Sequence, residues 1–215
     1  MKKGIIFDLD GTLWDACAAI ADSWNAYLKE ERADLEQYGL FVTEENIRSI
    51  CGHTTEEFGD MLFPNVPDAA VRRKLGGECC SYEIEYLKHA GGKLYEGLIE
   101  TLQALRKNYH LYIVSNCETG YIEDFLIWSG TKEFFEDTEE YGRTLLPKSK
   151  NIQLVMERNH LDAAVYVGDT VMDFKSSSEA GLPFIHCRYG FGMVENVPFI
   201  NTLSELPERA AEILD

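Results

Sequence analysis

Long apolar runs are missing from this chain. None of its 215 residues belong to a stretch near the ~20 apolar residues that a membrane-spanning helix needs. The N-terminus, Met1-Lys2-Lys3-Gly4-Ile5-Ile6-Phe7, meets an acid at Asp8 after only three apolar residues in a row, too few for a signal peptide. We therefore expect a soluble, cytoplasmic protein with no membrane partner. Basic charge is also scarce. The chain has 20 Lys and Arg against 37 Asp and Glu, a formal net charge of −17, which argues against nucleic acid or an anionic surface as partner. A small anionic substrate stays open, because a bound cation and one lysine override the mean field locally. No C-x-x-C occurs among the six cysteines, Cys17, Cys51, Cys79, Cys80, Cys117 and Cys187, so neither a zinc site nor a disulfide framework is indicated. Cys117 has no histidine near it in sequence, which speaks against a thiol nucleophile. A dinucleotide fingerprint is lacking too, for Gly190-Phe191-Gly192 stands alone and reads as a loop. Internal repeats and low-complexity segments are absent.

What is present is a strand that ends in acids. Gly4-Ile5-Ile6-Phe7 reads as a short strand buried on both faces, and it runs into Asp8-Leu9-Asp10-Gly11-Thr12. Carboxylates at the mouth of a buried strand are costly unless a cation or a proton compensates them. A lone Asp-x-Asp is ordinarily just a strand end. Here, however, the design recurs. His110-Leu111-Tyr112-Ile113-Val114 ends in Ser115-Asn116, and Ala163-Ala164-Val165-Tyr166-Val167 ends in Gly168-Asp169-Thr170, with Asp173 four residues beyond Asp169. In an open parallel sheet the ligand site lies beyond the carboxyl ends of the strands. Asp8, Asp10, Asp169 and Asp173 thus converge, and that many acids call for a hard divalent cation such as Mg2+.

Between the first two strands the pattern turns helical. Cys17, Ile20, Ala21, Trp24 and Leu28 share one helix face from Asp15 to about Glu31. Thr43-Glu44-Glu45 opens a second helix, and Thr54 with Glu57 forms a capping box for a third, which Pro64 and Pro67 stop. A long helix follows from about Asp68 to His89, weakened at Gly76-Gly77, and Ala90-Gly91-Gly92 reads as a flexible joint. Residues 15–92 are thus a helix-only insertion. Gly52-His53-Thr54 and Arg72-Arg73-Lys74 are its notable polar spots, although a basic trio is ordinarily a solvated helix face. Strands and helices then alternate. Helices are expected after Gly97, carrying Leu98, Leu102 and Leu105, and at about Gly120–Ser129, Lys150–Asn159, Val171–Ala180 and Ser204–Leu214, with a strand at Pro183–Cys187. A short strand within the mixed segment Phe134–Tyr141 brings Asp137 and Glu139 toward the site rim. This alternation gives an α/β, doubly wound (Rossmann-like) parallel sheet core with a smaller all-α domain inserted after the first strand.

Asp8-Leu9-Asp10-Gly11-Thr12, Ser115-Asn116, Lys148 and Gly168-Asp169-Thr170-Val171-Met172-Asp173 resemble, in that order, the four motifs of the haloacid dehalogenase (HAD) superfamily. The texture is most similar to its phosphoglycolate phosphatase-like branch with a helical cap. The resemblance implies a catalytic core of residues 1–14 and 93–215, with residues 15–92 as the cap domain. It implies a Mg2+-dependent phosphatase acting on a small phosphate monoester of the phosphoglycolate or sugar phosphate type. Asp8 would be the nucleophile that forms an aspartyl-phosphate, and Asp10 the acid/base. The Asp8 carboxylate, the Asp10 carbonyl, Asp169 and Asp173 would hold the metal. Ser115 and Lys148 would bind the phosphoryl group, together with Leu9, Asp10, Thr12 and Asn116. In the usual family form proline follows the lysine; here Pro147 precedes it, Lys150 competes, and spacing to the helix favours Lys148. A monomer or weak homodimer is expected. The alternatives are a β-phosphoglucomutase-like phosphosugar mutase, a non-catalytic phosphate-binding protein and a signalling receiver, the last disfavoured by the helical insertion.

Overall fold

The computed structural model describes the whole chain, Met1–Asp215. The first strand β1 (Lys3–Phe7) is followed by β2 (Trp14–Asp15), α1 (Cys17–Glu31), α2 (Glu44–Ile50), α3 (Thr55–Leu62) and α4 (Ala69–Ala90). Then come β3 (Lys93–Leu94), α5 (Leu98–Leu105), β4 (His110–Ser115), α6 (Tyr121–Ser129), β5 (Phe135–Glu140) and α7 (Tyr141–Thr144). The chain closes with α8 (Lys148–Arg158), β6 (Ala163–Gly168), α9 (Val171–Ala180), β7 (Phe184–Cys187), β8 (Phe199–Ile200) and α10 (Leu206–Leu214).

Six strands form one parallel sheet in the order β5-β4-β1-β6-β7-β8. In register, Ile5 lies beside Leu111 and Val165, and Ile6 beside Tyr112 and Tyr166. Side chains alternate across a strand. Ile5, Phe7, Ile113 and Val167 therefore enter the larger core layer, while Ile6, Val114 and Tyr166 pack on Ile152 and Val155 of α8. From β1 the chain builds β4 and β5 on one side and returns to build β6, β7 and β8 on the other. The reversal falls at β1, which opens a crevice beyond its carboxyl end. No helix is long and apolar enough to cross a membrane.

The insertion after β1 is all-helical, as its periodicity implies, and it folds around Trp24. That indole is 1% exposed, with Phe58 and Phe63 each 6.2 Å away between ring centroids. Thr43 and Glu57 cap α2 and α3 as expected; Glu57 accepts the Thr54 backbone N–H at 3.0 Å. The basic trio stays within the insertion: Arg72 and Arg73 both donate to Asp60, at 2.8 and 3.0 Å, and Lys74 faces Glu78. The expected flexible joint is instead close-packed. A Cβ at Gly91 would stand 1.9 Å from the Trp128 ring and one at Gly92 2.8 Å from Trp14. A two-strand antiparallel ribbon, β2 with β3, ties the two crossings together. Asp137 and Glu139 turn away from the site rim to pair with Arg158, at 2.5 and 2.6 Å.

Gly76-Gly77 does not interrupt α4. Gly76 is where α3 crosses it: a Cβ there would lie 2.8 Å from the Gly59 backbone nitrogen, whereas one at Gly77 meets nothing. Gly76→Ala should therefore destabilise the protein by about 1–3 kcal/mol through overpacking. Gly77→Ala should stabilise it by roughly 0.5–1 kcal/mol through helix propensity alone. Denaturant midpoints of the two variants check this, and shifts of equal sign would refute the packing assignment.

Candidate active site

β1, β4 and β6 each deliver polar residues into the crevice, as the apolar runs before them require. Asp8 follows β1, Ser115 ends β4, and Asp169 follows β6. Thr170 caps α9 reciprocally with Asp173, and this places Asp173 beneath the same point. Asp8, Asp169 and Asp173 are all buried, with one oxygen of each lying within 4.8 Å of the others. One ammonium meets them. Lys148, 2% exposed at the first turn of α8, donates to Asp8 at 2.9 Å and to Asp173 at 2.7 Å. Lys150 stays at the surface and bonds Gln153.

The electrostatics follow from burial. Desolvation and then Asp173 push Asp8 above the usual carboxyl range, against the pull of Lys148. Burial would raise Asp173 too, but Lys148 and the Thr170 donors outweigh it, so that acid is held low. Burial drives Asp169 well up, and Asp173 and Asp8 add to it. Asp10 accepts the Tyr121 hydroxyl at 2.8 Å and has no cation; burial raises it to about 7 in spite of that bond. A proton thus goes to Asp10 more readily than to Asp8, which has an ammonium beside it. Burial also keeps the Cys117 thiol well above its usual value, which removes it as a thiolate nucleophile.

A divalent cation fits the acids. The single ammonium bonds Asp8 and Asp173, and Asp169 Oδ1 is buried with no hydrogen-bond partner. The backbone crowds the same group. Gly11, at φ +77°, leaves no room for a side chain, since its Cβ would lie 2.1 Å from Asp169 Oδ2. Unpaired buried charge of this kind is met by a metal.

A cavity opens from Asp8 and Asp10 toward the insertion, with about 570 Å3 of non-protein space, part of it open to solvent. Ser115, Asn116 and Lys148 line it from the sheet side, and Trp24, Cys51 and Glu83 from the helical side. Asn116 Nδ2 donates to the Gly52 carbonyl at 2.9 Å and links the two. Thr12 is not brought there. Its side chain is fully buried with no partner for Oγ1, its N–H bonds the Leu9 carbonyl, and its own carbonyl accepts the Tyr189 hydroxyl. The turn that lets Gly11 pass Asp169 faces Thr12 inward. The Leu9 side chain is fully buried as well, so only its backbone is available to a ligand.

A family model described as haloacid dehalogenase-like hydrolase matches residues 5–187. The chain belongs to that family. Phosphoglycolate phosphatase of Rhodobacter capsulatus is 28% identical over 202 residues, covering 89% of this chain and 86% of that protein. N-acetylmuramic acid 6-phosphate phosphatase of Pseudomonas putida is 26% identical, covering 91% and 87%. A haloacid dehalogenase-like hydrolase from Bacteroides fragilis superposes with TM-score 0.79 at 23% identity, over 96% of this chain and 100% of that one. At that identity the match speaks for the fold alone. The resemblance drawn from the motifs holds: the chain is a HAD-type enzyme whose relatives are phosphoric monoester hydrolases.

Beyond the motifs, this HAD-family chain uses groups that sequence reading missed. Tyr121 holds Asp10, and nothing about a tyrosine opening α6 announces that role. The Phe191 N–H donates to Asp169 Oδ2 at 2.7 Å, a backbone contribution from the loop that had no assigned part. Glu83, 7% exposed on α4, accepts the Trp24 indole N–H at 2.5 Å. A signal for Glu83 did exist: Leu75, Cys79, Glu83 and Leu87 fall four apart on one buried stripe, where a carboxylate does not belong without a reason.

Burial raises Glu83 from an ordinary 4.5 to about 8. Since its folded value exceeds the unfolded one, its contribution to stability is complete below about pH 4.5 and disappears as pH rises through about 8. Melting temperatures at about pH 6 and about pH 9 should therefore fall further in the wild type than in Glu83→Gln, by the equivalent of a few kcal/mol at most. Parallel losses would refute this.

Proposed function

We propose that the protein is a Mg2+-dependent phosphatase that hydrolyses a small-molecule phosphate monoester through an aspartyl-phosphate on Asp8. The observation that carries this reading is the meeting of Asp8, Asp169, Asp173 and one shared ammonium, Lys148, beside the separately held Asp10. The relatives named for phosphoglycolate and for N-acetylmuramic acid 6-phosphate support the substrate class.

Asp8, Asp169, Asp173 and the Asp10 carbonyl would hold the metal. When bound, it supplies positive charge that shields the acids and the phosphoryl oxygens. An Asp8 oxygen attacks phosphorus while the bond to the ester oxygen breaks, and Asp10 gives its proton to that oxygen. Asp10, now a carboxylate, takes a proton from the water that attacks the acyl phosphate, and inorganic phosphate leaves. Tyr121 fixes the Asp10 carboxyl through both steps. Lys148 and the Ser115 hydroxyl face the phosphoryl oxygens. Residues 15–92 act as a cap that covers the crevice and excludes bulk water, and residues 1–14 with 93–215 as the catalytic core. One chain supplies every group, so a monomer suffices.

The test is phosphate release from a range of small esters with Mg2+, with and without chelator. We expect turnover that the chelator abolishes and added Mg2+ restores. A folded protein that releases no phosphate, or interconverts sugar phosphates without releasing any, would sink the proposal.

A further inference from the structure

The cap side of the cavity is mostly apolar, with His53, Thr55 and the carboxyl group of Glu83 among its polar side chains. Glu83 is more than nine-tenths buried there; its Oε2 takes the Trp24 N–H, and its Oε1 has no protein partner. On the sheet side Asn116 Oδ1 is likewise unpartnered, and Glu118 also lines the cavity. No arginine lines the cavity, and its one lysine, Lys148, is committed to Asp8 and Asp173. His53, the remaining basic group, has its Nδ1 3.3 Å from Glu57. Arg48, Arg72 and Arg73 are turned to other acids, outside the cavity. The cavity thus offers a second anion neither an arginine nor an uncommitted lysine.

Resting on the phosphatase reading, we propose that the substrate is a phosphate monoester whose alcohol half carries an ammonium group, and that Glu83 selects it. A carboxylate-bearing ester such as phosphoglycolate would bring its second anion to a wall with no arginine and no uncommitted lysine, beside Glu118, and would leave Glu83 neutral, so that nothing offsets the loss of the anion's hydration. An ammonium instead gives Glu83 Oε1 the donor it lacks in a charge-assisted hydrogen bond. Trp24 orients the carboxyl for this through its indole N–H. The high Glu83 pKa of about 8 agrees with this: a buried acid without a cation stays protonated, and an arriving ammonium reverses that.

The experiment measures kcat/KM for phosphate release, with Mg2+, from phosphoethanolamine, hydroxyethyl phosphate and phosphoglycolate. These three esters match in size and differ in the far group, which is an ammonium, a hydroxyl or a carboxylate. para-Nitrophenyl phosphate reports the phosphatase reading separately. The expected order is ammonium, hydroxyl, carboxylate, with the extremes at least about 100-fold apart. In Glu83→Gln, checked for folding by its melting curve, the ammonium-to-hydroxyl ratio should fall about tenfold or more. Preference for the hydroxyl or carboxylate ester overturns the inference, as does an unchanged ratio in folded Glu83→Gln; para-nitrophenyl phosphate turnover would then leave the phosphatase reading standing. No release from any of the four overturns that reading, and the inference with it.

Discussion

Asp8→Asn is expected to cut phosphate release by at least about 10^4-fold while leaving the protein as stable as before, or more so. The two halves of this expectation have separate causes. An amide oxygen is a poor nucleophile, and no other group stands in the place of Asp8, so the acyl phosphate cannot form. The fold, by contrast, carries an excess of buried negative charge there, with three carboxylates against the Lys148 ammonium. Asparagine keeps the size and can still accept from Lys148, yet removes one charge from that excess. Turnover of para-nitrophenyl phosphate and a denaturant melt, run on the same preparation, separate the outcomes. Retained turnover would remove Asp8 from the nucleophile role. Lost turnover with a collapsed melt would make the effect structural.

Lys148→Met is expected to act in the opposite way and to destabilise the chain by about 3–5 kcal/mol, because two buried carboxylates lose their only ammonium. For a protein of this size that corresponds to a melting temperature lower by roughly 6–20 °C. The sign of its pH dependence follows from linkage. Without Lys148, Asp8 and Asp173 hold protons more tightly folded than unfolded. The deficit is then smallest below the carboxyls' unfolded values and grows as pH rises through their raised folded ones. Lys150→Met should change stability by less than about 0.5 kcal/mol, since Lys150 only bonds Gln153 at the surface. Melting curves of both variants in acidic and neutral buffer check the pair. A silent Lys148→Met would remove it from the centre of the site.

The sequence by itself determined the central strands and the acids that follow them. A strand buried on both faces must be continuously apolar, so Ile5-Ile6-Phe7, Leu111 to Val114 and Val165 to Val167 stand out, and their polar ends point to one crevice. Helix starts at Thr43, Thr54 and Asp68 and the stop at Gly181 were equally legible, because capping is local chemistry. Two-residue strands such as β2, β3 and β8 show no period and exist only through their partners. Lys148 and Lys150 differ in sequence by two places, about 200° apart around a helix; spacing favoured Lys148, and packing shows that it is the one that faces the sheet. Gly76 and Gly77 are alike as letters and differ because α3 crosses α4 at one of them. Thr12, Tyr121 and the Phe191 N–H were decided by tertiary structure alone. Which atom faces a cavity depends on contacts between segments as far apart as Asp10 and Tyr121, and no local pattern encodes such a contact.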